Sequence, residues 1–198
     1  MYYVISRESS QTIYTSQDAD IEILQFSNKL DANKYLLNQS EKVSLSDKID
    51  VFTDGACSNN GGKNAKAGIG IYFKKNDPRN VSERIKGKQT NNTAELSAII
   101  KVFEILDKEI KQNKKVVIYS DSKYSIQCFT KWAITWSRNG WKKKGSEIIN
   151  SELIQLGYKL LSTHKNVSLE YVKAHTGNMD YISRGNEQAD KLATLSIQ

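Results

Sequence analysis

A chain of 198 residues with 38% apolar and 26% charged content can bury one good core and a small appendage. No apolar run is long enough to span a bilayer, and the start MYYVISRESS lacks the basic and apolar stretches of a secretory signal, so no membrane partner and an intracellular setting are expected. The net charge of +7 is uneven: residues 1–47 hold four Lys/Arg against seven Asp/Glu, and residues 48–198 hold 25 against 15, which suits a polyanionic partner for the larger part.

Tyr2–Ile5 and Ile13–Tyr14 predict two short strands and Asp31–Leu37 a short helix, which together make a small α+β unit over residues 1–38. Residues 39–47 are polar and read as a linker, and residues 48–198 read as one domain. In that domain Ile49–Asp54 predicts a strand ending at Gly55, followed by a Gly/Asn/Lys loop and strands at Ile69–Phe73 and Val81–Lys86, an antiparallel meander. Apolar residues at helical spacing predict a helix over Thr93–Lys111. Val116–Tyr119 is a short buried strand, and helices are expected over Tyr124–Trp136 and Glu147–Leu161. A strand at Val167–Val172 and a helix at Gly185–Leu195 complete an α/β fold, a mixed sheet with helices packed on its faces. Cys57 and Cys128 lack metal-ligand spacing and read as small buried hydrophobes in a reducing compartment.

Four carboxylates fall where solvated charges are not expected. Glu95 lies on the stripe that faces the sheet, although a capping box Asn92-Thr93-Ala94-Glu95 accounts for it as well. Asp54 alternates with Phe52 toward a buried side, or else it forms a turn before Gly55. Asp121 ends the buried strand, where it could cap the next helix. Asp190 lies between Ala189 and Leu192, or is a solvated helix charge. Taken one at a time, each has a simple structural account. Together, carboxylates on neighbouring elements repel unless divalent cations neutralise them, and hard oxygen donors suit Mg²⁺ or Mn²⁺. Serine, cysteine and histidine show no triad-like arrangement.

The runs DGACSNNG from Asp54, QTNNTAEL from Gln89, YSDS from Tyr119, WAITWSRNGW from Trp132, VKAHTG from Val172 and GNEQAD from Gly185 resemble, in order, the ribonuclease H type 1 family over about residues 48–195. The resemblance implies a ribonuclease H-like fold: a five-stranded mixed sheet of three antiparallel strands and two parallel additions, with helices on both faces. It implies that Asp54, Glu95, Asp121 and Asp190 bind two Mg²⁺ ions, for which Mn²⁺ could substitute. It also implies hydrolysis of the RNA strand of RNA–DNA hybrids to 5′-phosphate and 3′-hydroxyl ends. His175 looks like the family's mobile histidine, which serves proton transfer or product departure. Asn60, Asn91 and Asn92 match positions that read ribose hydroxyls, where an amide can both donate and accept. Residues 122–146 carry no acid and interleave Trp132, Trp136 and Trp141 with six basic residues, which resembles the protrusion that grips the DNA strand. By the same resemblance Lys88, Thr90 and Asn150 are candidates for phosphate contacts.

Two features depart from the pattern. The stretch between His175 and Asp190 is long and suggests a mobile lid. Residues 1–38 loosely resemble the family's small hybrid-binding domain, but they hold no tryptophan and are net acidic. A degenerate module with weakened hybrid binding is therefore expected, or one used for protein contact or dimerisation. The competing functions are a hybrid-binding protein without catalysis and a DNA-cutting relative of the same superfamily. With no polymerase segment ahead of it, the chain reads as a free-standing enzyme rather than a reverse transcriptase domain.

Overall fold

Alternation of apolar residues along five strands of residues 48–198 builds one mixed sheet. The structure is a computed structural model that describes residues 2–7, 10–17, 20–26, 48–143 and 145–198. The chain divides into two compact units, Met1–Asp47 and Lys48–Gln198. In the first unit, strands β1 (Tyr2–Arg7), β2 (Ser10–Gln17) and β3 (Asp20–Phe26) form an antiparallel sheet in that order. The third strand was not anticipated from sequence. The predicted helix at Asp31–Leu37 and the predicted linker lie outside the described residues.

The second unit contains β4 (Lys48–Ser58), β5 (Lys66–Tyr72), β6 (Val81–Arg84), β7 (Lys115–Ser120) and β8 (Val167–Tyr171). Their order across the sheet is β6-β5-β4-β7-β8, with the first three antiparallel and β7 and β8 added in parallel. The helices are α1 (Asn91–Ile105), α2 (Asp107–Lys111), α3 (Lys123–Gln127), α4 (Ala133–Arg138), α5 (Ser151–Thr163) and α6 (Tyr181–Ser196). A π-helical turn at Cys128–Trp132 joins α3 to α4. No helix among the described residues is long and apolar enough to cross a membrane.

Helices α1 and α6 cover opposite faces of the sheet. A Cβ on Gly55 would strike Ala94 and the Glu95 backbone of α1. One on Gly70, which pairs with Asp54, would strike Ala189 and Ala193 of α6. Strand alternation therefore puts Gly55 on the α1 face and Asp54 on the α6 face. The two glycines, with no Cβ, let both helices lie close against the centre of the sheet. Phe52, Leu96, Ile99, Ile118, Phe129 and Ile154 are fully buried between these layers, each contributing about 1.5–3 kcal/mol.

Several element ends differ from the sequence reading. Strand β4 runs through Gly55 to Ser58, so Asp54 is in mid-strand and makes no turn. Helix α1 begins at Asn91, because Thr90 accepts from the Thr93 N–H at 3.2 Å while Thr93 Oγ1 accepts from the Thr90 N–H at 3.0 Å. That reciprocal box satisfies the helix start two residues earlier than expected and leaves Glu95 free of any capping duty. The helix then breaks at Leu106. Helix α5 begins at Ser151, after Asn150 in the left-handed region at φ 63°, a conformation that Asn tolerates. The supposed lid is mostly helix. Asp180 caps α6 by accepting from the Ser183 N–H at 3.0 Å, which leaves a short loop after His175.

Candidate active site

The carboxylates of Asp54, Glu95 and Asp121 converge, each offering an oxygen within 4.8 Å of the others. Strand β4 carries Asp54, the second turn of α1 carries Glu95, and Asp121 follows the last residue of β7. Because β4 and β7 pair in parallel, with Thr53 opposite Ser120, the two aspartates that follow them lie side by side. Asp54 and Glu95 are buried, and Asp121 is half-buried. Burial, followed by the negative charge of Asp121, pushes the Asp54 carboxyl up to about 8, against the donation of the Gly55 N–H to Oδ1 at 2.9 Å. Burial and the adjacent Asp54 hold the Glu95 carboxyl well above the usual carboxylate range. Among the described residues no lysine or arginine pairs with these groups, and Glu95 Oε2 is buried without a hydrogen-bond partner. An arrangement so costly when ionised fits a divalent ion bound by hard oxygens.

Asp190 sits outside that tight trio, half-buried on α6, and its proximity adds to the upward shift of the Asp54 carboxyl. It lines a cleft of about 60 Å³ with His175, Lys173 and Asn186. His175 is exposed, in a left-handed backbone conformation at φ 48°. Asn186 carried no role in the sequence reading, yet its Nδ2 donates to Asp121 Oδ2 at 3.1 Å. Its place one helical turn before Asp190 was the one signal available, and that signal does not show which way the amide points. Asp121 does not cap α3, since Ser122 does so by accepting from the Ser125 N–H.

Two larger grooves lie on the same unit. Tyr124, Trp132, Trp136, Lys143 and Ile148 line one of about 520 Å³, with Trp132 and Trp136 tilted at 5.9 Å between ring centroids. Trp141 is not part of it and packs edge-on against Tyr158. Lys123 also leaves the basic stretch, its ammonium lying 4.8 Å from the Tyr171 ring centre. Lys88, Thr93 and Asn150 line the second groove, of about 420 Å³, and Thr90, hydrogen-bonded to Thr93, caps α1. Asn150 Nδ2 is buried without a partner. Asn60 and Asn92 are exposed, and Asn60 Oδ1 accepts from the Asn91 N–H at 3.2 Å, which ties the β4–β5 loop to the start of α1. His164 packs its ring on Phe103 at the end of α5, away from these groups. Both cysteines are free, Cys128 buried and Cys57 half-buried.

The family model described as RNase H matches residues 46–198. The chain is 41% identical to Ribonuclease H of Schizosaccharomyces pombe over 180 residues, covering 90% of this chain and 60% of that protein. It is 37% identical to Ribonuclease H1 of Homo sapiens over 150 residues, covering 75% and 50%. It thus spans about half to three fifths of the length of those two relatives. Ribonuclease H of Legionella pneumophila (strain Corby) is 35% identical over 152 residues, 97% of its length and 76% of this chain. Among solved structures, LC9-RNase H1, a type 1 RNase H, superposes with a TM-score of 0.54 at 25% identity, covering 76% of this chain and 72% of that one. The solution structure of the PFV RNase H domain shares the fold, with a TM-score of 0.58 at 24% identity over 75% of this chain and 93% of that one. The family is metal-dependent, and Asp54, Glu95 and Asp121 could hold an ion. From the strand order, the acidic cluster and these matches, the chain belongs to the RNase H family.

Proposed function

We propose that this chain is an endoribonuclease that hydrolyses the RNA strand of RNA–DNA hybrids, leaving 5′-phosphate and 3′-hydroxyl ends. The observation that carries the reading is the convergence of Asp54, Glu95 and Asp121 just where the parallel pairing of β4 with β7 ends, in a chain of this family. Asp54, Glu95, Asp121 and Asp190 are the groups that would hold two Mg²⁺ ions, with Mn²⁺ as a substitute. When bound there, the ions supply Lewis acidity, making a water nucleophilic and stabilising the leaving oxygen.

The chain's own residues would do the rest. Asn60, Asn91 and Asn92 offer amides that donate to and accept from ribose 2′-hydroxyls, which DNA lacks. Trp132 and Trp136 would give the other strand an apolar wall where deoxyribose fits and an added hydroxyl is disfavoured. Lys88, Thr90 and Asn150 hold phosphate oxygens and so fix the register of the duplex. His175, exposed at the mouth of the cleft beside Asp190, is placed to give a proton to a departing oxygen or to take one from water. Residues 1–38 would act in protein contact or dimerisation, with weak hybrid binding at most.

The test compares end-labelled RNA–DNA hybrid, double-stranded RNA and double-stranded DNA, in Mg²⁺ or EDTA, with wild type and Asp54→Asn. Cleavage of RNA in the hybrid alone, lost in EDTA and in the variant, is expected. Binding without cleavage would make the chain a hybrid-binding protein, and cutting of duplex DNA would make it a DNA nuclease. Unchanged hybrid affinity after removal of residues 1–47 would fit the reading of the N-terminal unit.

A further inference from the structure

We propose that Asn186 is a positioning residue for the metal centre: its amide nitrogen holds the Asp121 carboxylate turned toward Asp54 and Glu95, and does so without adding charge. The inference rests on reading the acidic cluster as a metal site. Asn186 Nδ2 donates to Asp121 Oδ2 at 3.1 Å, across 65 positions of sequence. The side chain is only 4% exposed, and its Oδ1 is buried with no hydrogen-bond partner. A buried carbonyl oxygen left unpaired costs about 1–3 kcal/mol. An apolar side chain of the same size would avoid that cost, so packing gives no reason for an amide here.

Asp121 explains the amide. Its backbone is fixed on both sides: the Ser122 N–H donates to Ser120 Oγ at 3.1 Å, and Ser122 Oγ donates to Ser125 Oγ at 3.0 Å. What stays free is the rotation of the Asp121 side chain, which is half-buried and repelled by two carboxylates. Without a partner, water and charge repulsion both favour turning it outward. A lysine or arginine at position 186 would hold it inward more strongly, but would also cancel the negative charge that attracts a cation. A neutral N–H supplies direction and leaves the charge in place. Because Asn186 and Asp190 are one turn apart on α6, a single rigid helix sets both the donor and the fourth carboxylate.

The test is Mn²⁺ binding to the full chain by titration calorimetry without nucleic acid, paired with thermal melts in EDTA, for wild type, Asn186→Leu and Asn186→Ala. Mn²⁺ affinity is expected to fall about 10- to 100-fold in both variants, the range for losing a group that orients a metal ligand. The Asn186→Leu melting midpoint in EDTA should stay level or rise, because the orphaned oxygen is gone. A side chain that only fills space would give the opposite result, with affinity kept in Asn186→Leu. Affinity in Asn186→Leu within about twofold of wild type therefore overturns the proposal. Should that variant not fold, the same limit applied to Asn186→Ala decides it. A wild-type chain that binds no Mn²⁺ would overturn the metal-centre reading itself, and this proposal with it.

Discussion

Asp54→Asn should stabilise the metal-free chain while abolishing cleavage. The substitution keeps the oxygen that accepts from the Gly55 N–H and removes one of three carboxylates crowded within 4.8 Å. Burial and Asp121 raise the Asp54 carboxyl from its ordinary 3.8 to about 8. At about 1.4 kcal/mol per tenfold in proton affinity, keeping it ionised in the fold costs at most roughly 6 kcal/mol. Water reaching the half-buried Asp121 screens part of that, so a gain of about 2–3 kcal/mol is expected when the charge is removed. The sign follows from proton linkage: a carboxyl raised by folding contributes stability that is complete below its unfolded value of 3.8 and is lost as the pH climbs through about 8. Wild type and variant should therefore melt together near pH 4 in EDTA. They should separate progressively toward about pH 8.5, where the variant melts on the order of 5–10 °C higher. Circular dichroism melts at three pH values measure this, and added Mn²⁺ should close the gap by raising wild type alone. A wild-type chain that is as stable as Asp54→Asn in EDTA at the high pH refutes the reasoning.

Glu95→Gln should lower hybrid cleavage in Mg²⁺ by at least about a hundredfold with little loss of hybrid affinity, read from kcat against binding by anisotropy. Gly70→Val should cost about 1–3 kcal/mol in denaturant melts, because the new side chain meets the backbone of Ala189 and Ala193 and pushes α6 away. It should also cut activity, since Asp190 moves with the helix. Trp132→Ala should weaken hybrid binding by about 1–3 kcal/mol, and should weaken double-stranded RNA binding less, in parallel titrations.

The sheet and its two covering helices were legible because periodicity reports which face of an element is buried. The same periodicity made Glu95 and Asp54 conspicuous, as charges placed on apolar stripes. Element ends were harder. Gly55 read as a turn because glycine usually marks one, but here the missing Cβ admits α1 and the strand continues. The start of α1 was misplaced because Asn92-Thr93-Ala94-Glu95 and Thr90 with Thr93 are both plausible boxes, and only hydrogen-bond geometry chooses between them. The stretch before Gly185 read as loop because a glycine there looks like a helix boundary, whereas it lies inside α6, where the Phe52 ring occupies the space a Cβ would take. The separation of Trp141 from Trp132 and Trp136 was not legible, because a π-turn at Cys128–Trp132 and left-handed Trp141 reorient the chain and neither has a sequence signature. Asn186 was invisible as a partner of Asp121, because the contact is made entirely in three dimensions.

The acidic centre has no local precursor. Its carboxylates come from a strand, a helix, the end of a second strand and a final helix, in that chain order. The parallel pairing of β4 with β7 has to close before Asp54 and Asp121 meet, and α6 has to dock before Asn186 and Asp190 arrive. A partly made or partly melted chain therefore carries the acidic residues without the assembled centre. On the proposed function, the centre is assembled only once α6 has seated, so folding itself gates the chemistry.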